Sequence, residues 1–258
     1  MTLMRQHLFR HLFSLSILFA LASGTEASDG ARLIHQAKYE GEYEGLGVEM
    51  TRSLVHLGGK HYRLEAKAEN LLGSVKEHED FLWQEDGSIQ PLAYRYKQRV
   101  FGISRSRSID FDWDKGVAFC KEKKKTHPVA VSPGNLGPMS YQLQLQLDLI
   151  NKAEVFEYHF VRRRKMKHYV FVQEEQGPLH QGNTHIEKGI KLVRKQEDGN
   201  RSTTIWFDAD KHFTLAALIQ EKDDDEHSLL ITDSHFNYPL TGTAFEGLNQ
   251  NAAAQAKR

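Results

Sequence analysis

The stretch His61-Tyr62-Arg63-Leu64-Glu65-Ala66-Lys67-Ala68-Glu69 decides the fold. Tyr62, Leu64, Ala66 and Ala68 share one parity, and His61, Arg63, Glu65, Lys67 and Glu69 share the other. Successive side chains of a strand point to opposite faces, so a period of two builds a sheet with one apolar and one wetted side. The rhythm continues outward from there. Leu92, Tyr94, Tyr96 and Val100 alternate with Arg95, Lys97 and Arg99, and Thr203, Ile205 and Phe207 oppose Thr204 and Trp206. Between the runs lie Gly58-Gly59, Glu85-Asp86-Gly87-Ser88, Asp198-Gly199-Asn200 and Asp223-Asp224-Asp225, clusters suited to tight hairpin turns. The expected fold is mainly β. It is a single antiparallel curved sheet, a half-barrel of about eleven or twelve strands of ordinary length.

One segment departs from this rhythm. Ser132-Pro133-Gly134-Asn135-Leu136-Gly137-Pro138 is a dense loop, and the Gln- and Leu-rich run from Ser140 to Lys152 follows it. Ser140 is placed to cap a first turn, and Met139, Leu143, Leu147 and Ile150 would share a helical face. Leu143, Leu145, Leu147 and Leu149 also alternate strictly, as a strand would. Length and the upstream loop decide for one helix around 140–152.

The N-terminus reads as an address. Arg5 and Arg10 precede the apolar run Leu12 to Ala22, and Thr25-Glu26-Ala27 offers small residues at a cleavage point. The run falls short of the roughly 20 apolar residues that a membrane-spanning helix needs. Residues 1–27 are therefore expected to be a signal peptide cleaved after Ala27, with the product in a bacterial periplasm. Residues 28–240 then form a single β-rich domain, and 241–258, which lack a core pattern, form a flexible tail. Cys120 is the one cysteine, so the protein is held by its core and not by an internal disulfide. It sits in Val117-Ala118-Phe119-Cys120, where burial as a small hydrophobe is expected. The 34 basic and 34 acidic residues balance, which excludes a general nucleic-acid binder.

Motifs for chemistry are missing. The fourteen histidines show no His-Glu-x-x-His spacing, and there are no paired cysteines or calcium loops, so no metal and no cofactor is expected. His180 and His185 are too far apart for one helical turn, and Glu154, Glu157 and His159 converge only if their strand folds back on a partner. Neither a Gly-x-Ser-x-Gly elbow nor a phosphate loop occurs, and no catalytic residue is expected. Asp110, Asp112 and Asp114 would share one face of a strand and point to water.

Two groups of residues are left as candidate sites. Trp83, Tyr94, Tyr96, Phe111, Trp113 and Trp206 recur along the strands, and Ser104, Ser106 and Ser108 make a small-residue face. Such residues on one concave side would suit an elongated apolar ligand, or else an ordinary packed core. Arg162, Arg163, Arg164 and Lys165 fall between apolar runs and mark a hairpin tip, a contact for anionic lipid or for a partner. Lys121-Glu122-Lys123-Lys124-Lys125 reads as a second, solvated hairpin end.

The order of Ala37-Lys38-Tyr39-Glu40-Gly41-Glu42-Tyr43, Gly58-Gly59-Lys60-His61-Tyr62, Gln90-Pro91-Leu92-Ala93-Tyr94-Arg95-Tyr96 and Ile109-Asp110-Phe111-Asp112-Trp113 resembles an exported bacterial family, domain-of-unknown-function family 3108. The closing part, Thr204-Ile205-Trp206-Phe207 and Leu215-Ala216-Ala217-Leu218, fits as well. The family usually carries an Asp before the Ser that opens the helix, where this chain has Gly137-Pro138-Met139-Ser140. The resemblance implies a periplasmic half-barrel similar to those that carry lipoproteins or lipids between membranes, and it supplies no catalytic residues. Two functions follow as expectations. One is a non-enzymatic binding or carrier protein for a lipid-like envelope ligand or lipoprotein. The other is an envelope assembly factor that binds a protein partner by strand addition.

Overall fold

A computed structural model of the chain describes residues 30–43, 46–195, 201–222 and 225–241. The expected leader lies outside the described residues, as does the tail apart from Thr241. The strands are β1 Arg32–Tyr43, β2 Leu46–Gly58, β3 His61–Asn70, β4 Gly73–Trp83, β5 Ile89–Val100, β6 Ile103–Asp112, β7 Val117–Glu122 and β8 Lys125–Ala130. After the helix α1, Ser140–Ile150, come β9 Phe156–Arg162, β10 Lys165–Gln181, β11 Thr184–Lys195, β12 Arg201–Asp208, β13 Thr214–Lys222 and β14 Asp225–Phe236. A 3-10 turn at Ala209–Lys211 joins β12 to β13.

All fourteen strands form one antiparallel sheet in the order β8-β7-β6-β5-β4-β3-β2-β1-β14-β13-β12-β11-β10-β9. The count exceeds the expected eleven or twelve because some hairpins turn without Gly, Asn or Asp in the usual places. Leu71-Leu72 between β3 and β4 is the clearest case. The first and last of these strands, β1 and β14, pair with each other, with Ala37 opposite Ser234. The free edges β8 and β9 face each other across a seam. There Leu136 donates its N–H to His159 O at 2.9 Å and accepts from Val161 N–H at 2.9 Å. The result is a nearly closed barrel.

The opening alternation holds in β3. Tyr62, Leu64 and Ala66 are buried, whereas Arg63, Glu65 and Lys67 lie on the outer wall. Arg63 clasps Asp80 of β4 with two hydrogen bonds, and Arg95 bonds Asp110, so this side faces water. In β5 the alternation changes phase. Asp80 pairs with Ala93 but Phe81 pairs with Pro91, so Leu92 is an extra bulged residue and leaves the face of Tyr94 and Tyr96.

The helix explains why its sequence reads two ways. Successive odd positions on a helix are 200° apart, so Leu143 and Leu147 lie on one side and Leu145 and Leu149 on the other. All four are buried, Leu145 and Leu147 completely. A helix with buried apolar side chains on two opposite sides is enclosed on both, and α1 lies inside the barrel with Gln142, Gln144, Gln146 and Asp148 half-buried between its leucines. Tyr141 stacks on Phe160 with ring centroids 4.3 Å apart, and Gln146 Nε2 donates to His212 O at 2.8 Å. The helix ends at Ile150, before the expected Lys152, which takes the left-handed conformation that terminates helices (φ 58°). Ser140 does not cap it. Its Oγ accepts the N–H of Gly137, and the N-terminal N–H groups of Met139 and Ser140 turn to Glu79 of β4. Cys120 is buried as expected, and burial pushes its thiol up to about 11.

Candidate ligand pocket at the basic rim

In an up-and-down antiparallel barrel, alternate turns share an end. The turns after β3, β5, β7 and β9 therefore form one rim, and the seam contact of Arg164 with Glu122 at 3.9 Å joins the last two. Below this rim lies a pocket of about 320 Å³, within the range of small-molecule sites. Its floor is the N-terminal end of α1, with Met139, Tyr141 and Gln142. Its walls carry Tyr94, Tyr96 and Tyr169, and on the far side Leu215, Leu218 and Leu229.

Arginines dominate its polar lining. Arg52, Arg107, Arg162 and Arg194 sit on the rim side of buried residues in the same inward-facing rows, Leu54, Ile109, Phe160 and Leu192. An inward cation is out of place in a core, because a buried charge must be paired or wetted. Arg107 Nε donates to Glu122 Oε1 at 3.0 Å, and this bond holds the Glu122 carboxyl below its ordinary range. Arg107 also lies over the Tyr96 ring, 5.1 Å from its centroid, and Arg194 over Tyr169 at 4.4 Å. Among the described residues the side chains of Arg52, Arg162 and Arg163 make no hydrogen bond or ion pair. Against these cations the pocket offers two carboxylates, Glu77 and Glu122, and Glu77 accepts the Tyr94 hydroxyl at 2.6 Å. Thr203 also lines the pocket, and its buried Oγ1 has no hydrogen-bond partner. The site is a positive, tyrosine-sided cup with an unused hydroxyl.

The six expected aromatic site residues divide. Tyr94 and Tyr96 line the cup, whereas Trp83 packs in the core against Tyr62 and Phe81. Phe111 and Trp113 stack on each other at 5.7 Å beside a shallow depression at the opposite end, and Trp113 Nε1 donates to Pro91 O. Trp206 covers Gly189, where a Cβ would come within 2.8 Å of its ring. Arg162 to Lys165 form the β9–β10 hairpin tip, as expected. Arg162 and Arg163 turn out to share the cup with Tyr94 and Tyr96, so residues first assigned to two sites meet at one. The sequence reading missed Arg52, Arg107, Arg194 and Thr203. Their signal was present, as an arginine on the apolar parity of each of three strands.

Other clusters are accounted for locally. β6 ends at Asp112, so Asp114 falls in a turn and the three aspartates do not share a strand face. Asp110 bonds Arg95 and Lys121, and Asp112 bonds Lys115. His180 and His185, too far apart for one helical turn, are a cross-strand pair with Nδ1 atoms 3.1 Å apart. The β9–β10 hairpin folds Glu157 and His159 against His168, and their ligand atoms lie within 4.8 Å of one another. This donor set is chemically able to hold a divalent cation. Here His168 Nε2 hydrogen-bonds Glu157 at 2.8 Å and the two imidazoles stack at 4.4 Å.

Fold and site define a class, an antiparallel barrel plugged by one helix with a basic pocket at one rim. The chain belongs to the family described as "Protein of unknown function (DUF3108)", whose model matches residues 38–226. No curated protein matches it in sequence. A similar solved structure is the beta-barrel-like protein of domain of unknown function DUF1849 from Brucella abortus, with a TM-score of 0.53 and 9% identity over 79% of this chain and 98% of that one. At that identity the likeness is one of fold.

Proposed function

We propose that this protein is a non-enzymatic binding or carrier protein of the bacterial periplasm, and that its ligand is an apolar, lipid-like envelope molecule with an anionic head. The observation that carries this reading is the cup. Unpaired guanidinium groups and the free Thr203 hydroxyl surround a tyrosine- and leucine-walled pocket. Guanidinium pairs strongly with carboxylate and phosphate, and apolar walls accept the adjoining chain. Because the N-terminal end of α1 floors the cup, the cup takes the head and the near part of a chain.

The seam bears on the other reading, a protein partner bound by strand addition. Leu136 already pairs with the edge of β9, and β8 carries Pro128, which has no N–H to offer. This favours the ligand reading. Export is proposed along with it, with the mature chain beginning at Ser28. Native mass spectrometry of the protein recovered from a Gram-negative periplasm tests both points. Support is a mature chain starting at Ser28 with an anionic amphiphile retained by wild type and lost from the double variant R52E/R162E. A bare polypeptide mass that also takes up no added anionic amphiphile refutes the reading.

A further inference from the structure

Of the six exposed large apolar side chains among the described residues, Val155 and Val172 stand singly elsewhere and four gather at one place. Leu71 is 98% exposed, Phe101 72%, Ile103 64% and Leu72 37%, and all four belong to two adjacent hairpin tips, β3–β4 and β5–β6. The tips are ordered. Asn70 Oδ1 accepts the N–H groups of Leu72 and Gly73, and Leu72 O accepts the N–H of Phe101 at 3.1 Å. Nothing in the fold calls for these residues. Phe101 holds a left-handed backbone (φ 48°) in a two-residue turn where Asn, Asp or Gly is favoured, so a bulky apolar side chain is kept there against local preference.

Around the same rim the next tips are basic. Lys123 and Lys124 form the β7–β8 turn and Arg163 and Arg164 the β9–β10 turn, again with left-handed Lys123 and Arg163 in place of glycine. Apolar side chains projecting beside lysine and arginine match the interface of an anionic bilayer, where the former enter the acyl boundary and the latter meet headgroups. The outer wall of the barrel is laced with ion pairs, and its exposed Val172 lies within β10, away from these tips. We propose that this rim docks on an anionic phospholipid bilayer, with Leu71, Phe101 and Ile103 inserted and the two basic turns against headgroups. The mouth of the cup then lies at the membrane. This inference stands on the exposed tips and does not rest on the ligand reading.

Flotation with vesicles tests it, comparing pure phosphatidylcholine with a mixture containing phosphatidylglycerol. Wild type binds the anionic vesicles at least ten-fold more tightly, and added salt weakens that binding. L71E/F101E loses it by ten-fold or more with an unchanged circular dichroism spectrum. F101N is the sharper variant, because it relieves the turn: its Tm rises while vesicle binding falls. Equal binding by wild type and L71E/F101E, or no wild-type binding to anionic vesicles, overturns the proposal. A dimer in sedimentation that L71E/F101E abolishes, without vesicle binding, also overturns it and assigns the patch to a second copy. Vesicle docking by R52E/R162E that has lost its amphiphile would separate this surface from the cup.

Discussion

Glu79 on β4 accepts the backbone N–H of Met139 through Oε2 at 2.7 Å and so caps a helix sixty residues further along the chain. The carboxylate meets the positive end of the helix dipole and satisfies an N–H left without an intrahelical partner. Its other oxygen has no hydrogen-bond partner and lies beside Gly137, where a Cβ would come within 2.2 Å. Gly137→Ala should therefore destabilise the protein by about 2 kcal/mol, in the range for overpacked cores. Denaturant unfolding checks this. Coupling is expected as well, because in an E79A background the same glycine change should cost much less.

The buried position raises the Glu79 carboxyl to about 7. The folded protein then holds a proton that the unfolded chain releases near 4.5, so its stability contribution is complete below 4.5 and lost as pH rises through 7. E79Q should gain on wild type by about 1.4 kcal/mol per pH unit across that window. Tm values of both proteins between pH 5 and 8 read the difference directly. A constant gap would contradict the assignment.

His35 works in the opposite sense. Burial first, then the charges of Arg52, His212 and His235, lower its pKa from 6.5 to about 3, and its ring stacks on Phe236 at 3.9 Å. The unfolded chain takes up a proton below 6.5 that the folded one refuses. Stability is therefore full above 6.5 and declines by about 1.4 kcal/mol per unit as pH falls towards 3. H35Q should remove that slope in acid unfolding curves while leaving neutral stability less affected.

The enclosed helix makes a further prediction. Leu145 is fully buried inside the barrel, so Leu145→Ala should cost about 2–5 kcal/mol, the range for large cavities in cores. An exposed or loosely docked helix would lose less than about 1 kcal/mol, within the usual surface range. Urea unfolding distinguishes the two.

How much of this was legible in the sequence depends on the range of the interaction. Tyr62, Leu64 and Ala66 declared their face because alternation is a local consequence of strand geometry. The hairpin at Arg163-Arg164 was legible from the apolar runs on either side, but Leu71-Leu72 was not, because its turn is held by Asn70 and the neighbouring tip. The helix cap by Glu79 and the meeting of Arg162 with Tyr94 are products of closure, and no local pattern encodes them. Arg52, Arg107 and Arg194 lie between these cases. Each breaks the apolar parity of its own strand, a signal that gains meaning once the strands are wrapped around one mouth.

The cup makes the central claim, and a direct titration of the purified protein tests it. Delipidated wild type and R52E/R162E would be titrated with a fluorescent fatty acid below its micelle concentration, with the matching alcohol as the uncharged control. Saturable binding of the acid by wild type, at least ten-fold weaker for the alcohol and for the variant, is the predicted result. Equal affinity for acid and alcohol, or binding that survives both charge reversals, would contradict it.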